Sequence, residues 1–530
     1  IPIYKNFFNL NETNINNINL DQPYHLLDIK NSEDNKNIYN CTIINDDNTN
    51  KINTKTFLKF SPLIDPIKYM SGKYNDLDDK KNILPNLTDN NDFEKMLDPN
   101  NSAYVDSFFT YLTSKMLYEK KFIHGVDFYG SFLSIKNNFE IDIYDDLDFL
   151  DDSEYFHEHK NKKFKISTNY NNIFFESNTR NYRKKIKILN DISENIYSEI
   201  DNNLYNDVFI EETKENLSNN NELIFECSNN NISFSTQSNC SSRSSYTSNE
   251  NDDEEDDDIS DSDSDNSENS ENSSSDESNG ECIATINNYP VQVICLENME
   301  KTLDLLLDDD LSIDEWKSCL FQILITLTTY QKVFSLTHND LHTNNIMFNK
   351  TEKEFIIYKF NNKHYKVPTY GRLFKIIDFG RAIYRYKNKI ICSDSFHQNG
   401  DAATQYNFEP YFNKNKPRLE PNPSFDLCRL GCSLYDYFKD ALGNEFETNP
   451  ISKLVNEWCM DDKGRNILYK KCGEERYPEF KLYKMIARTI HNAIPSEQLC
   501  NSIFKNYVIS KKKINKNAKI INIDKFPVLT

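Results

Sequence analysis

Residues 338–345 read HNDLHTNN, and residues 376–380 read IIDFG. Asp340, followed at five residues by Asn345, sets two oxygen-bearing side chains on one loop. Asp378 can bring a second carboxylate to the same place. A hard cation such as Mg²⁺, held against phosphates, takes one or two carboxylates, an amide oxygen and water. Asn345 and Asp378 are therefore the metal candidates, holding Mg²⁺ against the phosphates of ATP. Asp340 is left to accept or orient a hydroxyl proton.

These loops need elements to carry them. Residues 313–334 (IDEWKSCLFQILITLTTYQKVF) have the apolar spacing of a long helix that leads into HNDLHTNN, and FKIIDFG reads as a short strand and turn. Upstream, IYNCTII and TKTFLKF, joined by a polar link, predict a β-hairpin over 39–60. Residues 102–121 predict a helix with Ser102 as N-cap. GVDFYGSFLSI and NFEIDIY predict another pair of strands, and YPVQVICLE (289–297) a further one. Helices are expected over 424–438 and within 450–506. A strand-rich front and a helix-rich back, joined near 297–303, predict an α+β protein of two lobes.

Composition sets limits. The 530 residues are 38% hydrophobic, with 35 Phe and 31 Tyr, enough for a sizeable core. The net charge is −22, but residues 250–281 carry 16 Asp/Glu and no Lys/Arg, leaving −6 elsewhere. Nothing in that balance predicts a nucleic-acid surface. The twelve cysteines show no CxxC spacing and read as free thiols of an intracellular, cytoplasmic protein. No apolar run reaches the roughly 20 residues of a membrane span. Residues 228–280 are Ser/Asn/Asp/Glu-rich and nearly free of large apolar groups, which predicts a disordered stretch. The expected segments are an extension (1–38), a first N-lobe part (39–149), an insertion (150–281), the N-lobe end and hinge (282–303), a C-lobe (304–510) and a tail (511–530).

HNDLHTNN resembles the catalytic loop of protein kinases, H-x-D-L-x-x-x-N, and IIDFG resembles their metal-binding D-F-G strand. DLCRLG (426–431) is similar to the family's D-x-W-S-x-G helix. The flavour is that of divergent Ser/Thr-type kinase-like proteins of giant DNA viruses. The resemblance covers about 40–150 and 282–500 and implies a bilobal kinase-like fold using ATP and Mg²⁺ on a protein substrate. It assigns Lys59 to the ATP phosphates, with Asp106 or Glu119 as its acidic partner. Asp106 fits better, lying in the first half of its helix. Leu296, Glu297 and Met299 fall where the adenine edge meets the linker, Asp426 braces the catalytic loop, and His338 is structural. Asp340 and His342 are the catalytic candidates.

The chain departs from the family in several places. No G-x-G-x-x-G precedes Lys59; the matching stretch is KNSEDNKNIYNC (30–41). Asn339 stands where many kinases have the Arg that receives an activation-loop phosphate, so phosphorylation of Ser393, Ser395 or Thr404 is not expected as the main switch. His342 replaces a Lys that assists the transferring phosphoryl group. FEPYF (408–412) only loosely replaces A-P-E. A Ser/Thr protein kinase is the first reading. A small-molecule phosphotransferase on the same fold, supported by His342, and a scaffold lacking strong catalysis, supported by the missing glycines, are the alternatives. HEH (157–159) reads as solvated, RNYRKKIK (180–187) as a solvated helix face, and the acidic Ser tract as a spacer that resembles substrate for acid-directed kinases.

Overall fold

Strands dominate the first part of the chain because β-branched and aromatic residues alternate there with polar ones. The computed structural model describes residues 1–32, 37–45, 49–86, 93–167, 282–309 and 311–530. All of these belong to one compact unit, and the chain is α+β. Six strands form the first sheet: β1 (Tyr24–Ser32), β2 (Ile38–Asn45), β3 (Lys51–Pro62), β4 (Phe128–Asp142), β5 (Phe164–Ile166) and β6 (Ile283–Glu297). Their order is β1-β2-β3-β6-β4, with β5 also on β6, and every pairing is antiparallel. The hairpin expected over 39–60 is β2–β3. The glycine-free stretch 30–41 covers the end of β1, the start of β2 and the link between them, of which residues 33–36 lie outside the described residues.

Two expectations change here. Residues 128–142 are one strand rather than two, because β6 pairs across the polar Lys136–Asn138 stretch that looked like a turn. The helix α1 (Ser102–Glu119) is capped by Asn101, whose side chain accepts from the Ala103 N–H at 3.1 Å. Ser102 is the first helical residue, and its N–H goes instead to Asp394, at 3.1 Å. The N-terminal residues are also more ordered than their polarity predicts: Phe7 stacks on Phe108 of α1 at 4.7 Å, and the Tyr4 hydroxyl bonds Ser131 at 2.8 Å.

The break in rhythm at 150 does not end the fold. Short helices at Leu147–Asp151 and Glu154–His159 lead to β5, which joins the sheet. Residues 168–281, with RNYRKKIK and the acidic tract, lie outside the described residues. In HEH the two imidazoles part: His157 bonds the Asp151 carbonyl at 2.8 Å, and His159 stacks on Tyr155 at 3.9 Å.

The second part holds the long helices α2 (Ile313–Phe334), α3 (Phe425–Leu442), α4 (Pro450–Trp458) and α5 (Phe480–Thr489). A capping box starts α2: Glu315 N–H donates to the Ser312 hydroxyl at 3.3 Å, and Ser312 N–H to the Glu315 carboxylate at 3.0 Å. The middle of α2 is buried on all sides, which makes it the spine on which HNDLHTNN is mounted. This part is less purely helical than expected. β7 (Lys301–Thr302), β8 (Ile346–Lys350) and β11 (Arg372–Ile376) form a three-stranded sheet. β9 (Phe355–Phe360) and β10 (Lys363–Pro368) form a hairpin whose two-residue turn, Asn361–Asn362, has both φ positive, at 50° and 60°. β12 (Ile383–Tyr386) and β13 (Lys389–Cys392) form a second hairpin. β14 (Val508–Ile509) joins β10, and β15 (Ile520–Asn522) runs parallel to β9. The expected tail is thus part of a sheet, with Ile521, Ile523 and Phe526 buried. Among the described residues no cysteine forms a disulfide, and no helix is long and apolar enough to cross a membrane.

Candidate active site

Antiparallel pairing of Lys59 with Ile294 turns the Lys59 side chain off the middle of the sheet. Its ammonium lies 2.8 Å from Asp106 Oδ2 of α1 and 2.8 Å from Asp378 Oδ1 of the DFG turn. The Phe379 N–H then donates to Asp106 Oδ1 at 2.8 Å. Three segments distant in sequence are closed into one ring of charge-assisted bonds. Glu119, the other acidic candidate, pairs with Lys115 at 2.9 Å on the exposed end of α1.

One ammonium serves two carboxylates. Burial, reinforced by the nearby charge of Asp378, pushes Asp106 above the usual carboxylate range despite Lys59. Asp378 also suffers burial, but Lys59 outweighs it and holds this carboxyl low. Asp378, whose side chain is 25% exposed against 4% for Asp106, is therefore the member that stays charged. Asp378 also adopts φ +63°, a left-handed conformation that Asp tolerates better than most residues. That turn aims the carboxylate back toward β3.

The loop HNDLHTNN is held from beneath. Asp426, fully buried near the start of α3, accepts from His338 N–H at 2.9 Å and Asn339 N–H at 2.8 Å. His338 Nδ1 accepts from the Asp340 N–H at 3.3 Å, which leaves Nε2 as the donor to the Ile377 carbonyl at 2.9 Å. This imidazole thus stitches the loop to the DFG strand. Asn339, also left-handed at φ +66°, donates to the Thr337 and Arg381 carbonyls at 3.1 and 3.0 Å and accepts from the Tyr406 hydroxyl at 2.8 Å.

Asn345 commits its Nδ2 to the loop, donating to the Asp340 carbonyl at 2.8 Å and to His342 Nε2 at 3.1 Å. Its Oδ1 is the atom left for a ligand. His342 therefore acts as an acceptor, and burial lowers its pKa further, against the pull of Asp340. Asp340 accepts at 3.1 Å from the hydroxyl of Tyr483 on α5. Among the described residues no group of three or more His, Cys, Asp or Glu forms a metal cage.

The chain is similar to a probable serine/threonine-protein kinase of Dictyostelium discoideum. The two are 32% identical over 106 residues, which is 19% of this chain and 8% of that protein. No family model matches the chain. The likeness is kinase-like in kind and confined to a small part of either sequence.

Of the expected linker residues, Glu297 has side-chain partners. Glu297 ends β6, and its Oε1 accepts from the Asp127 N–H at 2.6 Å and from Lys375 of β11 at 2.5 Å, while Oε2 accepts from Asn349 of β8 at 2.6 Å. Its own N–H donates to the Asp127 carbonyl at 3.0 Å. This carboxylate latches the first sheet to the second part of the chain. Leu296 and Met299 beside it are buried. Four residues around the site escaped the sequence reading: Arg381, Asp394, Arg429 and Tyr483. Arg381 follows DFG and Arg429 lies inside DLCRLG, so their positions were visible. Tyr483 lies 143 residues beyond Asp340, in a helix whose pattern signals only burial.

Proposed function

We propose that this chain is a protein kinase of bilobal, kinase-like fold that transfers the γ-phosphoryl group of ATP to Ser/Thr hydroxyls of proteins. The observation that carries this reading is the ring Lys59–Asp106–Phe379 N–H–Asp378, set beside a catalytic-type loop clamped by Asp426. A purely structural core rarely leaves so many ionisable groups in one place.

In this reading Lys59 exchanges Asp378 for the ATP phosphates, and Asp106 keeps the ammonium oriented. Asp378 and Asn345 Oδ1 fit Mg²⁺: one charged carboxylate and one amide oxygen suit a hard ion that retains waters. When bound, the ion neutralises phosphate charge. Asp340 already accepts from a hydroxyl, that of Tyr483, which is the interaction an incoming Ser/Thr needs. The acceptor oxygen forms its bond to the γ-phosphorus as the bond to the ADP oxygen breaks, and the acceptor proton passes to Asp340. His342, neutral, orients Asn345 and does not assist as a cation.

The test is transfer of labelled γ-phosphate from Mg·ATP to the chain and to generic protein substrates, with Asp340→Asn as control. Labelling by the wild type that drops at least a hundredfold in the variant is the expected result. Equal labelling by both, or by neither, removes the reading.

A further inference from the structure

Arg429 sits on α3 three residues past Asp426, one hydroxyl away from Asp340. Its Nε donates to the Tyr483 hydroxyl at 3.0 Å, and that hydroxyl donates onward to Asp340 Oδ1 at 3.1 Å. The guanidinium lies 5.2 Å from the centre of the Tyr483 ring, and that of Arg381 lies 5.7 Å from it. The two cations differ in one respect. Arg381 is closed by an ion pair with Asp401. Arg429 has no ion pair among the described residues, and its Nε bond is its only side-chain hydrogen bond there. The carboxylate acting most on it is Asp340, reached through Tyr483.

A half-buried guanidinium with free Nη groups is a fork for an oxyanion. Its position says which oxyanion. Arg429 and Asp340 share Tyr483 as a neighbour, so an anion on the fork sits within about three hydrogen-bond lengths of the carboxylate that orients the acceptor. An extended peptide advances about 3.5 Å per residue, which places that anion roughly one to three residues from the accepting side chain. Resting on the phosphotransfer reading above, we infer that Arg429 is a specificity-determining residue that selects acceptor Ser/Thr hydroxyls flanked by Asp or Glu in a peptide. The sequence of this chain contains such a peptide, ISDSDSDNSENSENSSSDES (259–278), which serves as the probe.

The experiment compares that peptide with a counterpart in which every Asp and Glu is Asn or Gln. Binding is read by fluorescence anisotropy and phosphorylation as kcat/KM, for the wild-type chain, Arg429→Gln and Arg429→Lys. The expected result is a preference of tenfold or more for the acidic peptide in the wild type. That preference falls below threefold in Arg429→Gln and is intermediate in Arg429→Lys, which keeps the charge but loses the fork. Equal binding of both peptides by the wild type, or full preference in Arg429→Gln, overturns the inference even if phosphate is transferred. Arg429-dependent preference in binding without any transfer upholds the inference and removes the phosphotransfer reading instead. Should Arg429→Gln fail to fold, Arg429→Lys decides: wild-type discrimination in that variant overturns the fork.

Discussion

Lys59 has one positive charge to divide between two carboxylates, and this division is testable residue by residue. Replacing Lys59 by Met leaves Asp106 and Asp378 facing each other in a buried place. Removing one partner of such a cluster costs about 3–5 kcal/mol. Both carboxyls then rise above their unfolded values, so the folded state binds protons that the unfolded state does not. Stability of the variant should therefore recover as pH falls from 7 towards 4, narrowing its gap to the wild type. Urea midpoints measured across that range check this, and a gap that stays constant refutes the shared charge. Asn339 is a second residue-scale case. An Arg at this position would need a left-handed backbone and would bring a charge into a fully buried place where three hydrogen bonds now end. Asn339→Arg should cost about 3 kcal/mol or more, read as a lowered melting temperature.

At the scale of elements, the segment after DFG is tied to α1 without any phosphate. Asp394 accepts from Lys95 at 2.6 Å and from the Ser102 N–H at the start of α1, while its own N–H donates to the Asn100 carbonyl at 2.7 Å. Lys68 adds a bond to the Asn399 carbonyl at 2.7 Å. A carboxylate at a helix N-terminus is favourable, and here it also fastens the segment to the helix that holds Asp106. Ser393 is fully buried, so a phosphate there conflicts with the folded segment. Phosphatase treatment should leave transfer activity within about twofold. Asp394→Ala should instead raise hydrogen exchange across 383–404 and lower activity about tenfold or more. Unchanged exchange in that variant would show that the tether is idle.

For the whole molecule, two further elements tie distant parts of the chain together, and both are sensitive to change. His124, fully buried, bonds the Phe374 carbonyl through Nδ1 at 2.6 Å and the Tyr358 hydroxyl through Nε2 at 2.7 Å. Burial lowers its pKa to about 4. The unfolded imidazole takes up a proton near pH 6.5, so stability is lost as pH falls from about 6.5 to 4, by up to about 3 kcal/mol. Asp127 opposes this: burial pushes it up to about 6, so the folded state gains a proton over the same range. His124→Gln should therefore flatten or invert the acid limb of the stability curve. Identical acid limbs in the two proteins would rule His124 out. The second element is the tail. Ending the chain at Asn515 removes β15 and three buried apolar side chains. At about 1.5–3 kcal/mol each, this should cost on the order of 5 kcal/mol, visible in a thermal melt.

Much of the site was legible because it is local. HNDLHTNN, IIDFG and Asp426 are short stretches whose residue types and spacing reflect what one loop or turn can present, and periodicity placed α2 and β3 around them. The α2 pattern reads well because its capping box and its apolar positions agree. Where a local signal was ambiguous, a partner elsewhere decided. Lys136–Asn138 resembles a turn until β6 pairs across it. Ser102 resembles a cap until Asn101 takes that place and Asp394 takes the Ser102 N–H. Glu297 reads locally as a strand end, and only the fold brings Lys375, Asn349 and Asp127 to its carboxylate. The meeting of Lys59 with both Asp106 and Asp378, and of Arg429 with Tyr483 and Asp340, depends on packing between elements tens to hundreds of residues apart. Composition and spacing along the chain carry the chemistry a segment can offer. Which charges share one buried place is set by tertiary contact, because only there does desolvation make the choice of partner costly.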